Sequence, residues 1–196
     1  MDTRSLRTLI VEDSEDDVLF ILRTLRKGGY DPLHRRVETA EEMRLALREQ
    51  TWDIVLSDYH LPLFSGLEAI SLLQETGPDI PLIIVSGAIG EETAIQSMKA
   101  GACDYVMKGN LSRLIPAVER ELKEAESRRA RQRAEADLRE SERQFRFLAE
   151  QMVDIVWTAD RNFRTTYVSP SVTRVLGFAP EERLTHSLEE AVTPAS

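Results

Sequence analysis

Four apolar runs near the start of the chain each close on a different kind of polar group. Leu9-Ile10-Val11 closes on Glu12 and Asp13, and Ile54-Val55-Leu56-Ser57 closes on Asp58. Leu82-Ile83-Ile84-Val85 closes on Ser86, and Tyr105-Val106-Met107 closes on Lys108. If these runs are neighbouring parallel strands, the four ends meet at one edge of a sheet. Three carboxylates gathered there either take up a proton or bind a cation. Hard oxygen donors of this kind suit Mg²⁺, which accepts one or two carboxylates and keeps room for phosphate oxygens. Asp58 would be a carboxylate nucleophile, with Lys108 a point charge and Ser86 a hydroxyl donor to phosphate oxygens. The set suits metal-assisted transfer of a phosphoryl group onto Asp58. Singly, each residue is an ordinary solvated loop, turn or surface group. Their joint occurrence at successive strand ends is the signal.

The elements that must hold these residues follow from the pattern between them. Leu6 to Val11 reads as a strand. Ser14 can cap a helix with Glu15, Asp16 and Asp17 at its positive end and Val18, Leu22 and Leu25 on one face, stopped by Gly28-Gly29. A weak strand follows near Leu33 to Val37. Thr39, with Glu42 three residues on, opens a second helix carrying Met43, Leu45, Ala46 and Leu47. The run ending at Asp58 is apolar throughout, as a strand covered on both faces should be. Ser65 caps a helix with Leu67, Ile70 and Leu73, ending near Gly77. Pro81 precedes the next strand, residues 90 to 100 form a helix stopped by Gly101, and residues 103 to 108 form the last strand. Five strand–helix repeats make a doubly wound parallel sheet the expected architecture. In such sheets the functional crevice lies at the carboxyl ends of the strands.

Composition narrows the function further. The chain has 196 residues, 34 acidic and 25 basic, for a net charge of −9. That balance is wrong for direct nucleic-acid binding, which needs clustered Lys and Arg. A single cysteine, Cys103, allows no internal disulfide, fits a cytoplasmic protein, and reads as a small buried residue. His34, His60 and His186 share no zinc-ligand spacing. No apolar run approaches the roughly 20 residues needed to cross a bilayer, and no signal-peptide core opens the chain. A mononucleotide binder of similar fold would need a Gly/Ser-rich phosphate loop after the first strand, where this chain has Glu12-Asp13-Ser14-Glu15-Asp16-Asp17.

From Ser112 a helix begins that lacks any Gly or Pro between Ala117 and Gln151. Its apolar positions (Leu114, Val118, Leu122, Ala125, then Ala130, Ala134, Leu138, then Phe145, Leu148, Met152) keep no strict heptad. A long solvated helix and a parallel coiled-coil dimer both fit. After it, residues 155 to 160 and 165 to 169 read as two strands around a turn at Asp160 to Asn162, followed by short helices from Ser171 and from Pro180. Two strands make no independent core.

Residues 5 to 122 resemble a response-regulator receiver domain of two-component signalling. The resemblance is carried by Glu12-Asp13, by Asp58 with Pro62 and Gly66 after it, by Ser86-Gly87-Ala88, and by Tyr105 three residues before Lys108. It implies a five-stranded parallel flavodoxin-like α/β fold with an extended C-terminal helix. It implies that Asp58 is the phosphoacceptor and that Asp13, Asp58 and the backbone carbonyl of His60 bind Mg²⁺, with Glu12 orienting metal-bound water. Ser86 and Lys108 would sense the phosphate and Tyr105 would turn inward on activation. The family usually follows its lysine with proline, where this chain has Gly109. Residues 142 to 196 resemble the start of an α+β PAS sensor domain, carried by residues 155 to 160, by Tyr167-Val168-Ser169-Pro170-Ser171, and by Leu176-Gly177-Phe178. Only about half a PAS fold is covered, so the chain resembles a piece of a longer protein. Residues 123 to 141 would be a helical linker.

The function expected is phosphorelay signalling. A histidine kinase or histidine phosphotransfer protein would donate to Asp58. The change would switch a multidomain PAS-containing protein such as a hybrid sensor kinase, homodimeric through the linker helix. Such a receiver catalyses its own phosphorylation and dephosphorylation. The alternative is a pseudo-receiver, an interaction module that never accepts phosphate.

Overall fold

The computed structural model describes residues 3–76, 79–87, 91–162, 164–177 and 179–184. Gly77, Ala88, Gly90, Phe178 and residues 185–196, each part of a sequence expectation above, lie outside them. Two compact units divide at Ala130.

The first unit is built on five parallel strands. They are β1 (Arg4–Val11), β2 (Tyr30–Val37), β3 (Ile54–Ser57), β4 (Leu82–Ser86) and β5 (Asp104–Met107), in the order β2-β1-β3-β4-β5. The central runs are apolar because both faces are covered. Successive residues alternate between two cores. Leu6, Ile10, Ile54, Leu56, Ile83, Val85 and Val106 face one core, and Leu9, Val11, Val55, Leu82 and Ile84 face the other. The first core is closed by α1 (Glu15–Lys27) and the start of α5 (Leu114–Gln151), the second by α2 (Ala40–Glu49) and α3 (Gly66–Thr76). Between β4 and β5 runs α4 (Glu91–Ala100). The strand order reverses direction at β1 and β3, and the site belongs at their carboxyl ends.

The expected caps form. The Ser14 hydroxyl accepts from the Asp17 N–H at 3.3 Å and the Thr39 hydroxyl from the Glu42 N–H at 3.3 Å. Ser65 and Glu68 make a reciprocal capping box. At the end of α1, Gly28 packs so tightly that a Cβ there would lie 2.4 Å from Ile115 Cδ1 of α5. β2 starts at Tyr30, three residues before the expected start. Asp31, Pro32 and the polar His34-Arg35-Arg36 stretch mask it in the sequence, and an edge strand tolerates them.

Between β5 and α5 a 3₁₀ turn (Lys108–Arg113) intervenes. The described residues contain no cis peptide bond, so Lys108–Gly109 is trans. α5 does not leave the sheet at its first turn. Leu114, Ala117, Val118 and Ala125 are buried, with Ile115 and Leu122 packed alongside the core. Arg128 Nη2 donates to Asp79 Oδ1 at 2.9 Å, and Arg129 Nη2 donates to the Asp79 carbonyl at 2.6 Å. Four of the ten apolar positions considered for a coiled-coil seam (Leu114, Val118, Leu122 and Ala125) are therefore covered within this unit.

In the second unit β6 (Trp157–Ala159) and β7 (Thr165–Val168) pair antiparallel. Asp160 shapes the connecting turn by accepting from the Asn162 and Arg164 N–H groups. The hairpin leads into α6 (Ser171–Leu176) and α7 (Pro180–Leu184). Ser169 and Ser171 are buried and bonded to each other at 2.6 Å. Ser169 accepts from the Val156 N–H and Ser171 donates to the Asp154 carbonyl. Phe145 meets Tyr167 edge to face at 5.8 Å.

Candidate functional site

Asp58 follows β3 directly and is nearly buried. Its Oδ1 accepts from the Tyr59 N–H at 2.6 Å and the His60 N–H at 3.4 Å. Its Oδ2 accepts from Lys108 Nζ at 2.7 Å. Gly66, the first residue of α3, sets this loop. Its N–H donates to the Tyr59 carbonyl, and a Cβ there would come within 2.8 Å of the Asp58 carbonyl oxygen. Only glycine permits that approach, which keeps the loop against the sheet edge.

Glu12 and Asp13 follow β1, beside β3. One carboxylate oxygen each from Glu12, Asp13 and Asp58 lie within 4.8 Å of one another. Opposed ligands of Mg²⁺ stand about 4.2 Å apart, twice its usual ligand distance, so the group fits a hard cation after slight closure. Asp13 is exposed and leaves one side of the group open to water, while Glu12 is buried and accepts from the Ser14 N–H at 3.1 Å. Burial is the largest influence on Glu12 and raises its carboxyl above the usual range. Lys108 and the Ser14 N–H pull it back in part, and the Asp58 charge adds to the rise.

Lys108 leaves β5 and carries the site's cation. Its Nζ lies 2.7 Å from Glu12 Oε2, 2.6 Å from Asp17 Oδ2 and 2.7 Å from Asp58 Oδ2. Burial lowers its pKa, but hydrogen bonds to Asp17 and Asp58 and the pairing with Glu12 outweigh that, and the ammonium titrates above an ordinary lysine. Three carboxylates, Glu12, Asp17 and Asp58, thus share one ammonium, with Asp13 beside them. Such a pocket attracts a cation and repels an anion that comes without one.

Of the residues expected at the site, Glu12, Asp13, Asp58 and Lys108 are brought together. Ser86 is buried at the end of β4, in register with Met107, the residue before Lys108. His60 is exposed, its ring edge-on to Tyr59 at 4.6 Å. Tyr105 is half-buried against the core that holds Leu82 and Ile84. The sequence reading places Asp17 only at the positive end of a helix. It lies in the first turn of α1, three residues after the Ser14 cap that follows Glu12 and Asp13, and that closeness in the chain is the signal for a second role.

A family model described as "Response regulator receiver domain" matches residues 8–119. The chain is similar to response regulator protein PilR of Pseudomonas aeruginosa, with 32% identity over 113 residues, covering 56% of this chain and 25% of that protein. It is similar to transcriptional regulatory protein ZraR of Escherichia coli, with 32% identity over 103 residues, covering 51% of this chain and 22% of the relative. The chain thus spans about a quarter of the length of these curated relatives. Its fold matches the beryllofluoride-activated NtrC4 receiver domain dimer with a TM-score of 0.54 and 24% identity, over 61% of this chain and 98% of that one. No described helix is long and apolar enough to cross a membrane.

Proposed function

The chain belongs to the response regulator receiver family, and from that membership we propose that Asp58 accepts a phosphoryl group from a phosphorylated histidine. The donor is a histidine kinase or a histidine phosphotransfer protein. The observation that carries this reading is the shared crevice: Asp58, Glu12 and Asp13 within 4.8 Å of one another, with Lys108 2.7 Å from Asp58. An Asp58 carboxylate oxygen attacks phosphorus, the P–N bond to the donor imidazole breaks, and the imidazole keeps the bonding pair. An acyl phosphate remains on Asp58.

Asp13 and Asp58 would hold Mg²⁺ together with the His60 backbone carbonyl, with Glu12 orienting water on the ion. When bound, Mg²⁺ supplies the counter-charge for an anionic donor and stabilises charge on the phosphoryl group in transfer. Lys108 neutralises one phosphoryl oxygen, and Ser86 donates its hydroxyl to another. The added charge of about −1.5 to −2 then reorganises the ends of β4 and β5, with Tyr105 turning further inward.

The remaining chain transmits the change. We assign residues 5–122 to the receiver, 123–141 to a helical linker and 142–196 to the start of a PAS domain. The order of β6, β7 and α6 supports the last assignment. Leu138, Phe145 and Leu148 are exposed on α5 and support a parallel homodimer through residues 112 to 150. The whole protein would be a multidomain signalling protein such as a hybrid sensor kinase.

Incubation with Mg²⁺ and acetyl phosphate should add one phosphoryl mass, read by intact mass spectrometry. Asp58→Asn should abolish it. Uptake that persists in Asp58→Asn overturns the assignment, and a wild-type chain that takes none leaves the pseudo-receiver alternative.

A further inference from the structure

Lys108 is held from three sides, and two of those holds do not involve Asp58. An ammonium carries three N–H donors, and three carboxylate oxygens stand at hydrogen-bonding distance from it. Asp17 and Asp58 accept hydrogen bonds from it, and buried Glu12 faces it as an ion-pair partner at 2.7 Å without accepting one. Asp17 is itself firmly placed. It lies in the first turn of α1, its N–H donates to the Ser14 cap, and the Ser14 N–H donates to Glu12. The cap therefore links both anchors of Lys108 to one short segment. Asp17 lies outside the close group formed by Glu12, Asp13 and Asp58.

We propose that Asp17 is a positioning residue that, with the charge of Glu12 beside it, anchors Lys108 so that another of its N–H donors stays aimed at the oxygen of Asp58 and at the phosphoryl group that arrives there. The inference rests on the phosphoacceptor reading above and adds a residue to it. When the acyl phosphate forms, Asp58 Oδ2 gives up its full charge and a phosphoryl oxygen becomes the better acceptor. Lys108 then exchanges one partner without leaving the other two. A lysine tethered only by Glu12 would spread over several rotamers, and each phosphoryl transfer would have to wait for the right one.

The test separates anchoring from charge. Asp17→Asn and Asp17→Ala remove the same charge, but only the amide keeps an oxygen that accepts from Lys108. Phosphoryl uptake from acetyl phosphate with Mg²⁺ should fall roughly tenfold in Asp17→Ala and clearly less in Asp17→Asn, as expected for losing one charge-assisted hydrogen bond in transit. Asp17→Ala should add no further loss in a Lys108→Ala background. Mg²⁺ affinity should stay within about twofold of wild type, since a direct ligand would lose far more. Equal rates for Asn and Ala, an added loss in the Lys108→Ala background, or a matching fall in Mg²⁺ affinity each overturn the proposal. A separate readout needs neither metal nor phosphate. Exchange of the Lys108 ammonium protons, followed by NMR in the metal-free chain, should quicken in Asp17→Ala, and unchanged exchange overturns the clasp. A wild-type chain that takes no phosphoryl group while this exchange still responds to Asp17 would sink the phosphoacceptor reading and leave the clasp standing.

Discussion

The two edges of the sheet hold similar numbers of acidic groups and treat them in opposite ways. At the carboxyl edge Glu12, Asp17 and Asp58 share the ammonium of Lys108, and Asp13 stands beside Glu12 and Asp58. At the amino edge three of the five strands, β3, β4 and β5, start at or near an aspartate paired with an arginine. Asp53 pairs with Arg7 at 2.6 Å, Asp79 with Arg128 at 2.9 Å, and Asp104 with Arg120 at 2.6 Å. The second edge is neutralised internally and closes the structure. The first keeps a surplus of negative charge, which folding alone would select against. A surplus that persists at a strand switch point marks the edge that meets a ligand.

The largest break of this contrast is expected from Asp13→Asn. Losing a direct ligand should weaken Mg²⁺ binding by more than about tenfold, measured by calorimetric or fluorescence titration. The same variant sharpens the contrast without metal. Removing one of several crowded carboxylates should raise stability by on the order of 1 kcal/mol, the size of one like-charge contact in water. At the other edge the sign reverses. Asp53→Asn should lower stability by about 1 kcal/mol, since it strips Arg7 of a part-buried partner. Denaturant melts of the two variants side by side decide the matter, and equal signs would erase the distinction drawn between the edges.

Acid gives a third comparison. Burial pushes the Asp53 carboxyl up, but the hydrogen bonds and charge of Arg7 pull it down further, to a value below the ordinary range. Folding therefore favours the ionised form. Its contribution is present above the unfolded-state pKa, near 4, and is lost as pH falls through the lower folded value. Below about pH 4 the wild type should lose stability more steeply than Asp53→Asn. Parallel curves would show that Arg7 does not hold the proton off Asp53. The smallest effect is expected from Arg128→Ala, whose ion pair with Asp79 is substantially exposed, at under about 1 kcal/mol in a thermal melt.

What could be read from the residues alone follows the range of the interaction. Strands β1, β3 and β4 were plain because burial on both faces leaves an uninterrupted apolar run. The caps at Ser14, Thr39 and Ser65 were plain because donor and acceptor sit three residues apart. Glu12, Asp13, Asp58 and Lys108 were legible because each ends a strand, and a parallel sheet brings strand ends together without any knowledge of packing. The Lys108–Asp17 contact spans 91 residues and depends on the pitch of α1, so only the closeness of Asp17 to Glu12 and Asp13 in the chain hinted at it. The docking of α5 was hidden for a different reason. Ala125 is buried, yet an alanine on a solvated helix looks the same in sequence, and Arg128 and Arg129 find Asp79 some 50 residues away.

The contact of Gly28 with Ile115 makes two positions 87 residues apart a single unit of change. The backbone at Gly28 is ordinary, with φ −79, so what bars a side chain there is the neighbour and not the conformation. An alanine at 28 requires the side chain at 115 to shrink or to move aside. Among relatives, drift at the two sites should therefore be correlated, and Gly28→Ala should be tolerated better beside Ile115→Val than alone. The pair records, in the history of the chain rather than in its chemistry, how closely α1 and α5 are bound to each other.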